Sequence, residues 1–362
     1  MKLDEIMVIY GEEPRVMVKT LLEQISPEQG LDPKALIGLK PNLVVAKPHT
    51  SGATTSPGLV AGIIEYFQSK GYHRLLILEG SWVGERTGEA FRICGYQELA
   101  AKYGVQLVDL QQDGFKQYDG GGLSINICNK AMEVDYLINI PVLKGHCQTG
   151  ITCALKNLKG CIPNSEKRRF HTMGLHKPIA YLNKLLKQHL IIVDGMMGDL
   201  DFEEGGNPVQ MNRLIAGFDP VLVDSYAAVL MGYDLEEIPY IGLAAQLGVG
   251  RLQDSFNNVI GLNQDQYRSP LPRGRKVRQL AGYIDDREAC SACYGSLIHA
   301  LARLNERGKL NRLSKKICIG QGYHGQKVDG IGIGACTKSS DLHLGGCPPK
   351  AKDIIDFINN LS

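Results

Sequence analysis

The chain of 362 residues lacks the features that mark several large classes of protein. Its formal net charge is only +2 and its basic runs are as short as Lys167-Arg-Arg169, so we expect no nucleic-acid partner. The first residues have no apolar signal-peptide core, and no run of about 18 apolar residues is present to span a bilayer. These absences predict a cytoplasmic protein with no membrane partner.

Familiar nucleotide-binding and hydrolase motifs are also missing. The sequence contains no Walker G-x-x-x-x-G-K-[ST] segment and no G-x-S-x-G nucleophile turn. Gly320-Gln-Gly322-Tyr-His-Gly325 has the glycine spacing of a dinucleotide fingerprint, but a glycine-rich stretch follows it where the motif requires a helix. We therefore reject a nucleotide-binding interpretation of this segment.

Short apolar runs alternate with helical patterns over most of the chain. Arg74-Leu-Leu-Ile-Leu-Glu-Gly80 is typical of a buried strand, and Pro57 behind Ser56 is typical of a helix start. This alternation predicts an α/β fold with a mainly parallel sheet and helices on both faces. Leu123–Ile127 alternates in polarity, so we expect an edge or antiparallel strand there.

A polar, proline-containing and basic stretch divides the chain. We place a main α/β domain at 1–262, a linker at 263–278 and a small C-terminal α/β module at 279–362. That module contains five of the ten cysteines, which in a chain without an export signal we expect to be reduced and available for metal or catalysis. They are Cys290, Cys293, Cys318, Cys336 and Cys347.

The spacing of these cysteines predicts a metal centre. A Cys-x-x-Cys pair can direct two sulfurs to one centre, and Cys293 and Cys347 both lie near expected helix starts, where the positive dipole end favours thiolate. Pro348 and Pro349 fit the first turn of the second helix. Cys318 lies in a strand-like alternation and is held in reserve. We predict the ligands to be Cys290, Cys293, Cys336 and Cys347.

A 4Fe-4S cluster is the favoured occupant. Structural zinc usually has two short cysteine pairs, and a second pair is absent from this sequence. A redox-active dithiol would need neither Cys336 nor Cys347. Zinc and a dithiol remain as alternatives.

A second candidate site lies at the predicted carboxyl ends of strands in the main domain, where open α/β sheets bind ligands. Lys144-Gly-His146 leads toward a helix expected at Thr149–Leu158, whose N-terminus with an exposed lysine would suit an anion. We predict catalytic roles for Lys144, His146 and Lys156, with Asp194 or Glu79 as acid or base. His171 and His176 lie in a stretch, Pro163–Pro178, expected to be a mobile loop over the site. The substrate-binding candidates are Lys40, Asn42, Asn157 and His171.

Six segments together resemble the family catalogued as domain of unknown function 362. They are Lys40-Pro-Asn42, Thr54-Thr-Ser-Pro57, Lys144-Gly-His146, Ala154-Leu-Lys-Asn-Leu-Lys-Gly160, Asp194-Gly195 and Phe218-Asp219-Pro220-Val-Leu-Val-Asp224. The resemblance covers roughly residues 1 to 255. It implies that cluster-binding cysteines or a ferredoxin-like segment accompany the domain, although the ferredoxin run C-x2-C-x2-C-x3-C-P is absent from this sequence.

Three functions are compatible with these features. The first is an iron–sulfur enzyme of oxidoreductase type that acts on a small anionic molecule held near Lys144 and His146. The second is a non-enzymatic electron-transfer or cluster-carrier protein that docks a redox partner. The third is a structural metal, zinc or a cluster, that stabilises the C-terminal module.

Overall fold

The chain forms two structural units in the computed structural model, which describes residues 1–253, 255, 257–264, 271, 276–310, 313 and 315–361, with only the backbone at 276 and 278. Unit 1 comprises Met1–Glu166 and His176–Arg273, and unit 2 comprises Lys167–Leu175 and Gly274–Ser362. Most of the predicted linker, positions 265–270 and 272–275, lies outside the described residues.

The strands and helices of unit 1 alternate along much of the chain. The strands are β1 (Ile6–Tyr10), β2 (Ile37–Pro41), β3 (Leu75–Glu79), β4 (Gln106–Asp109), β5 (Phe115–Asp119), β6 (Ser124–Cys128), β7 (Tyr136–Ile140), β8 (Lys144–His146), β9 (Gly150–Thr152), β10 (Leu190–Asp199), β11 (Pro208–Gly217) and β12 (Val259–Gly261). The helices are α1 (Pro14–Ile25), α2 (Pro57–Ser69), α3 (Thr87–Ile93), α4 (Tyr96–Tyr103), α5 (Asn129–Glu133), α6 (Ala154–Asn157), α7 (Asn164–Thr172, which continues into unit 2), α8 (His176–Leu185), α9 (Pro220–Leu230) and α10 (Pro239–Gln246).

Eight strands form one sheet in the order β12-β1-β11-β10-β7-β2-β3-β4. Within the described part of this sheet, β11 alone runs antiparallel to its neighbours β1 and β10, and the other neighbouring pairs are parallel. Helices α1 and α2 pack together on one face, where Leu39, Ile138 and Leu214 of the sheet join their core. A second group of helices contains α6, α8, α9 and α10.

Unit 2 is a small α/β unit whose elements are β13 (Ile284–Asp286), β14 (Ile317–Ile319), β15 (Val328–Ile333), β16 (Ser340–Leu344), α11 (Lys276–Ala281), α12 (Ser291–Glu306) and α13 (Ala351–Asn359). Its four strands form a parallel sheet in the order β13-β14-β15-β16. Helix α12 has buried Leu297, Ile298, Leu301 and Leu304 at helical spacing, as expected from the sequence. The two units confirm the predicted α/β class with a mainly parallel sheet and a small C-terminal α/β module.

The local predictions agree with the structure where the sequence signals are strong. Helix α2 begins at Pro57 behind Ser56, and β6 pairs antiparallel with β5 in a separate two-stranded sheet. The stretch expected as a mobile loop at Pro163–Pro178 is instead largely helical, since it forms α7 and the start of α8. In the parts of the chain that are described, no helix has the length and apolar character needed to cross a membrane.

Candidate functional site

Four polar side chains of unit 1 are linked by hydrogen bonds at the carboxyl ends of β2 and β7. Nζ of Lys144 donates to Oδ1 of Asn42 at 3.0 Å, and Nδ2 of Asn42 donates to Oδ1 of Asn157 at 2.9 Å. Asn157 in turn donates to the main-chain oxygen of Lys40 at 3.3 Å and to Oδ1 of Asn139 at 2.7 Å. Candidates that lie far apart in sequence are therefore neighbours, because parallel strand ends meet at one edge of the sheet.

Lys40 and Glu79 form a buried ion pair at this edge. Nζ of Lys40 lies 2.8 and 2.9 Å from the two carboxylate oxygens, and both side chains are almost fully buried. Glu79 also accepts a hydrogen bond from the amide of Leu43 at 2.8 Å. Gly160 packs against the pair so closely that a Cβ there would lie 2.7 Å from Nζ of Lys40. Glu79 therefore neutralises Lys40 and fixes the chain that follows β2.

Glu203, which the sequence did not reveal, neutralises the other cations of the site. It lies in the loop between β10 and β11, and its Oε1 accepts a hydrogen bond from Nζ of Lys156 at 2.6 Å. Its Oε2 is 2.9 Å from Nε2 of His146, although the ring is not aligned for a hydrogen bond. Burial alone would raise the pKa of Glu203, but Lys156 and His146 hold it well below its ordinary value.

His146 is held as a neutral ring by its surroundings. Nδ1 accepts hydrogen bonds from the amides of Gln148 and Thr149, each at 3.1 Å, so the proton of the neutral ring is on Nε2. Burial, reinforced by the charge of Lys156, lowers the pKa of His146 to about 4. At neutral pH the ring therefore adds no positive charge to the site.

Lys144 is fully buried, which corrects the expectation of an exposed lysine. Besides Asn42, its Nζ donates to the main-chain oxygens of Ala53 at 2.5 Å and Glu203 at 2.8 Å. Burial lowers the pKa of Lys144 to about 7. The three oxygen atoms that accept its hydrogen bonds match the three N–H groups of a charged lysine. An anion would have to replace one of these protein acceptors to bind Nζ directly.

The segment after Lys144 is a hairpin, so the predicted helix at Thr149–Leu158 was wrong in most of its length. Strands β8 and β9 pair antiparallel around a turn that ends at Gly150, which has a φ of +77°. Helix α6 is four residues long, and the carboxylate of Asp224 accepts its first amides, from Ala154 at 2.7 Å and Leu155 at 3.1 Å. The predicted anion position at a helix start is therefore filled by a protein carboxylate.

Asp194 lies inside β10 and not beyond a strand end, because β10 continues to Asp199 alongside β11. Its carboxylate accepts hydrogen bonds from the amides of Ser56 at 2.7 Å and Met196 at 3.0 Å, and burial raises its pKa. The contact with Ser56 fixes the start of α2. Asp194 thus positions the helix that begins beside the site.

Three of the four predicted ligand cysteines of unit 2 lie next to the carboxyl ends of its parallel strands. Cys290 follows β13 and is the N-cap of α12, Cys336 is in a single 3₁₀ turn after β15, and Cys347 follows β16. Cys293 is in the first turn of α12. Burial, together with the neighbouring thiols of Cys290, Cys347 and Cys336, raises the pKa of the Cys293 thiol. The thiols of Cys290, Cys336 and Cys347 are therefore close enough to Cys293 to act on its ionisation.

Two glycine turns connect the chain segments that carry Cys336 and Cys347. The amide of Gly334 donates to the main-chain oxygen of Leu344 at 2.8 Å, and that of Ala335 donates to the oxygen of Gly346 at 2.9 Å. Gly334 and Gly346 have positive φ values of 94° and 123°, which only glycine adopts readily.

The helix predicted to begin at Pro348 begins instead at Ala351, so Cys347 is not at its first turn. The reason is that a proline disfavours helical backbone in the residue before it, and Pro349 follows Pro348. Cys347 is exposed in the loop between β16 and α13.

Two further candidates, Cys318 and His171, belong to unit 2. Cys318 is buried within β14 and packs against Tyr323 and Val328. His171 belongs to unit 2, and its Nε2 lies 3.4 Å from both the amide and the hydroxyl of Ser291, the first residue of α12. His171 thus contacts the helix that carries two cysteines, which the sequence could not indicate. Within the residues that the structure describes, no group of three or more His, Cys, Asp or Glu side chains is arranged so that it could hold a metal ion.

The fold and these two sites define an α/β protein with a charge-paired polar site at its strand ends and a separate cysteine module. The chain belongs to the family described as domain of unknown function 362 (DUF362), whose profile matches residues 37–229, more than half of its length. It is similar to the thylakoid-associated protein sll1697 of Synechocystis sp., with 25% identity over 244 residues that cover 64% of this chain and 74% of the relative.

A solved structure also aligns with part of the fold. It is the lactate racemase apoprotein of Thermoanaerobacterium thermosaccharolyticum, with 15% identity and a TM-score of 0.41, and the alignment covers 66% of this chain. The chain spans 59% of the length of that structure.

Proposed function

We propose that this chain is an iron–sulfur protein in which Cys290, Cys293, Cys336 and Cys347 hold a 4Fe-4S cluster. The observation that carries the proposal is the position of the four cysteines: Cys290, Cys336 and Cys347 follow the ends of parallel strands, and all three are near enough to act on Cys293 in the first turn of α12. Four thiolates in one place repel one another, and a cationic metal core is the partner that removes this repulsion.

The local backbone suits the same group. Cys290 and Cys293 come from one helix start, whose amide groups favour negative charge, and glycines precede Cys336 and Cys347 closely in the chain. Arg168, which also belongs to unit 2, acts to lower the pKa of Cys293 and so favours its thiolate form. When bound, such a cluster supplies one electron at a time to a reaction or a partner.

We further propose an enzyme of oxidoreductase type whose small anionic substrate is bound in unit 1. The support is the convergence of Lys144, Asn42 and Asn157 at the strand ends, which is where α/β sheets place their ligands. An electron-transfer or cluster-carrier protein is the alternative, and it requires the same four cysteines but no ligand in unit 1.

Anaerobic purification with iron, sulfide and zinc analysis tests the metal assignment. The expected result is about four irons and four sulfides per chain, in line with a cubane on four cysteines. One zinc per chain without sulfide would remove the redox proposal and leave a structural metal.

Cysteine variants test which thiols are ligands. Cys293→Ala and Cys347→Ala should lose most of the brown absorption after anaerobic reconstitution. Cys318→Ala is the matched control, because this thiol is buried within β14, and it should keep the absorption. Loss of the chromophore in the control with retention in both other variants would contradict the ligand set.

A further inference from the structure

A buried glutamate without a protein partner for its carboxyl group lies beside the unit 1 site. Glu204 is 8% exposed, and neither of its carboxyl oxygens has a hydrogen-bond partner among the described residues. Burial of an unsatisfied polar group is unfavourable, and burial of an unpaired charge is more unfavourable still. Such a group is retained where a proton or a ligand completes its environment.

The loop that carries Glu204 is firmly positioned. Nζ of Lys47 donates to the main-chain oxygen of Glu204 at 2.8 Å, just as Lys144 does to that of Glu203. The amide of Gly206 donates to the oxygen of Ser51 at 3.2 Å. The lack of contacts at the Glu204 carboxyl is therefore a property of the side chain and not of a loosely held loop.

The neighbouring residue provides an internal comparison. Glu203 has one carboxylate oxygen on Lys156 at 2.6 Å and the other close to His146, and it is ionised. Glu204, one residue later, has no such cation on its oxygens, and burial raises its pKa to about 7. Two carboxyl groups whose surroundings separate their pKa values in this way are the arrangement that enzymes use for acid–base chemistry.

The charged groups around Glu204 are of both signs. After burial, which raises its pKa, and its own amide, which lowers it, the charges that act on Glu204 are the negative charge of Glu203, the positive charge of Lys47 and the negative charge of Asp199. Lys144 and the thiol of Cys147 also lie within electrostatic reach of Glu204. A protonated carboxyl next to Lys47 can donate its proton to a ligand oxygen while the lysine supplies positive charge.

We propose that Glu204 is the proton-exchanging residue of a small-molecule site in unit 1, donating its carboxyl proton to an oxygen of a small oxyanion, a carboxylate or a phosphate. The step breaks the O–H bond of Glu204, forms an O–H bond on the ligand and leaves a Glu204 carboxylate that takes the proton back in the reverse direction. This inference rests on the proposed anion site of unit 1 and is independent of the metal in unit 2.

Labelling with an apolar carbodiimide tests whether a small molecule reaches a protonated Glu204. A carboxyl oxygen adds to the central carbon of the reagent while the carboxyl proton moves to its nitrogen, so protonated carboxyls react. On the acid side of neutrality, peptide mapping of the full chain should find the label on Glu204, and on the alkaline side it should decline. The ionised Glu203 should remain unlabelled in both conditions. Surface carboxyl groups with ordinary pKa values are partly protonated on the acid side, so their labelling there shows that the reagent is active.

Protection then tests the ligand class. Acetate, longer monocarboxylates and inorganic phosphate are added as probes, and at least one should reduce labelling of Glu204 several-fold without changing the surface labels. Glu204→Gln should lose the label and the protected signal, whereas Glu236→Gln, the same change at an exposed position, should keep both.

Two outcomes would overturn the proposal. An unlabelled Glu204 beside labelled surface residues would mean that the carboxyl is unreachable or ionised. A labelled Glu204 that no probe protects would exclude the oxyanion role. Either result can be obtained without iron in unit 2, so failure of the cluster assignment and failure of this inference are separate findings.

Discussion

Glu203 and Glu204 are adjacent, yet removal of their charges should have opposite effects on the stability of unit 1. Glu203→Gln leaves Lys156, whose side chain is 3% exposed, without its counter-ion. Removal of one partner of a buried ion pair costs about 3–5 kcal/mol. Glu204→Gln replaces a carboxyl group that has no hydrogen-bond partner by an amide of nearly the same shape. We therefore expect a large loss of unfolding free energy for the first variant and none for the second.

The pH dependence of Glu204→Gln follows from the sign of the pKa change. The folded pKa, about 7, is above the ordinary value of 4.5, so the native state holds the proton more tightly than the unfolded state. This contribution to stability is fully present below pH 4.5 and is lost as the pH rises through 7. The difference of 7 − 4.5 pH units corresponds to about 3 kcal/mol at 1.36 kcal/mol per unit. The variant should thus equal the wild type in acid and exceed it by up to that amount above neutrality.

The fluorescence of Trp82 provides the measurement. It is the only tryptophan in the sequence and packs against Val44, Val45 and Ala53 in unit 1, so its emission during urea unfolding reports on this unit. The free energy of unfolding is measured for wild type and both variants at several pH values. A loss below about 1 kcal/mol for Glu203→Gln, or a larger loss for Glu204→Gln than for Glu203→Gln, would refute the assignment of these two environments.

Three further predictions concern the same unit. Gly160→Ala should lower the free energy of unfolding by about 2–4 kcal/mol, because its Cβ would collide with Oε1 of Glu79. The control Gly242→Ala has open space around its Cβ and should change this free energy by no more than about 0.5 kcal/mol. Equal effects of the two variants in urea unfolding would contradict this prediction. Asp194→Asn should cost about 1–3 kcal/mol, since a weaker acceptor then faces the amide that begins α2, and an unchanged melting temperature would exclude this role. Lys144→Met should weaken the binding of a carboxylate or phosphate probe. It should also destabilise unit 1 by about 2–4 kcal/mol, because three buried acceptors lose their donor. An unchanged affinity in isothermal titration of the folded variant would refute the ligand role.

The parallel strands could be predicted because strands buried on both faces are continuously apolar, as β3 is. Strand β11 has no such signal, since the polar residues Asn212 and Arg213 are buried in it. The β8–β9 hairpin has three residues in each strand, which is too short for a periodic pattern. Local apolar patterns therefore predict the sheet but not its polar and shortest members.

The candidate site was predictable in part for the same reason. Asn42 and Lys144 could be placed together because each follows a strand that the pattern reveals, and the parallel sheet determines where such residues meet. Glu203 lies 59 residues after Lys144 in a loop, and nothing in its local sequence separates a buried carboxylate from an exposed one. The positive residues could be predicted, while the residue that neutralises them could not. The pair Glu203-Glu204 followed by two glycines after a strand is the signal that could have drawn attention to this loop.

The same geometric rule operates in unit 2, where the expected ligands are sulfur atoms. Cys290, Cys336 and Cys347 each come shortly after the end of a parallel strand, as Asn42 does in unit 1. Parallel strands deliver their carboxyl ends to one edge whatever the connecting segments contain, so residues beyond those ends converge even when they are far apart in sequence. Cys318 lies within its strand and packs against apolar neighbours. A comparison of Cys318→Ala with Cys347→Ala therefore tests position relative to the strand end, because each variant removes one thiol of unit 2, the first within a strand and the second beyond one.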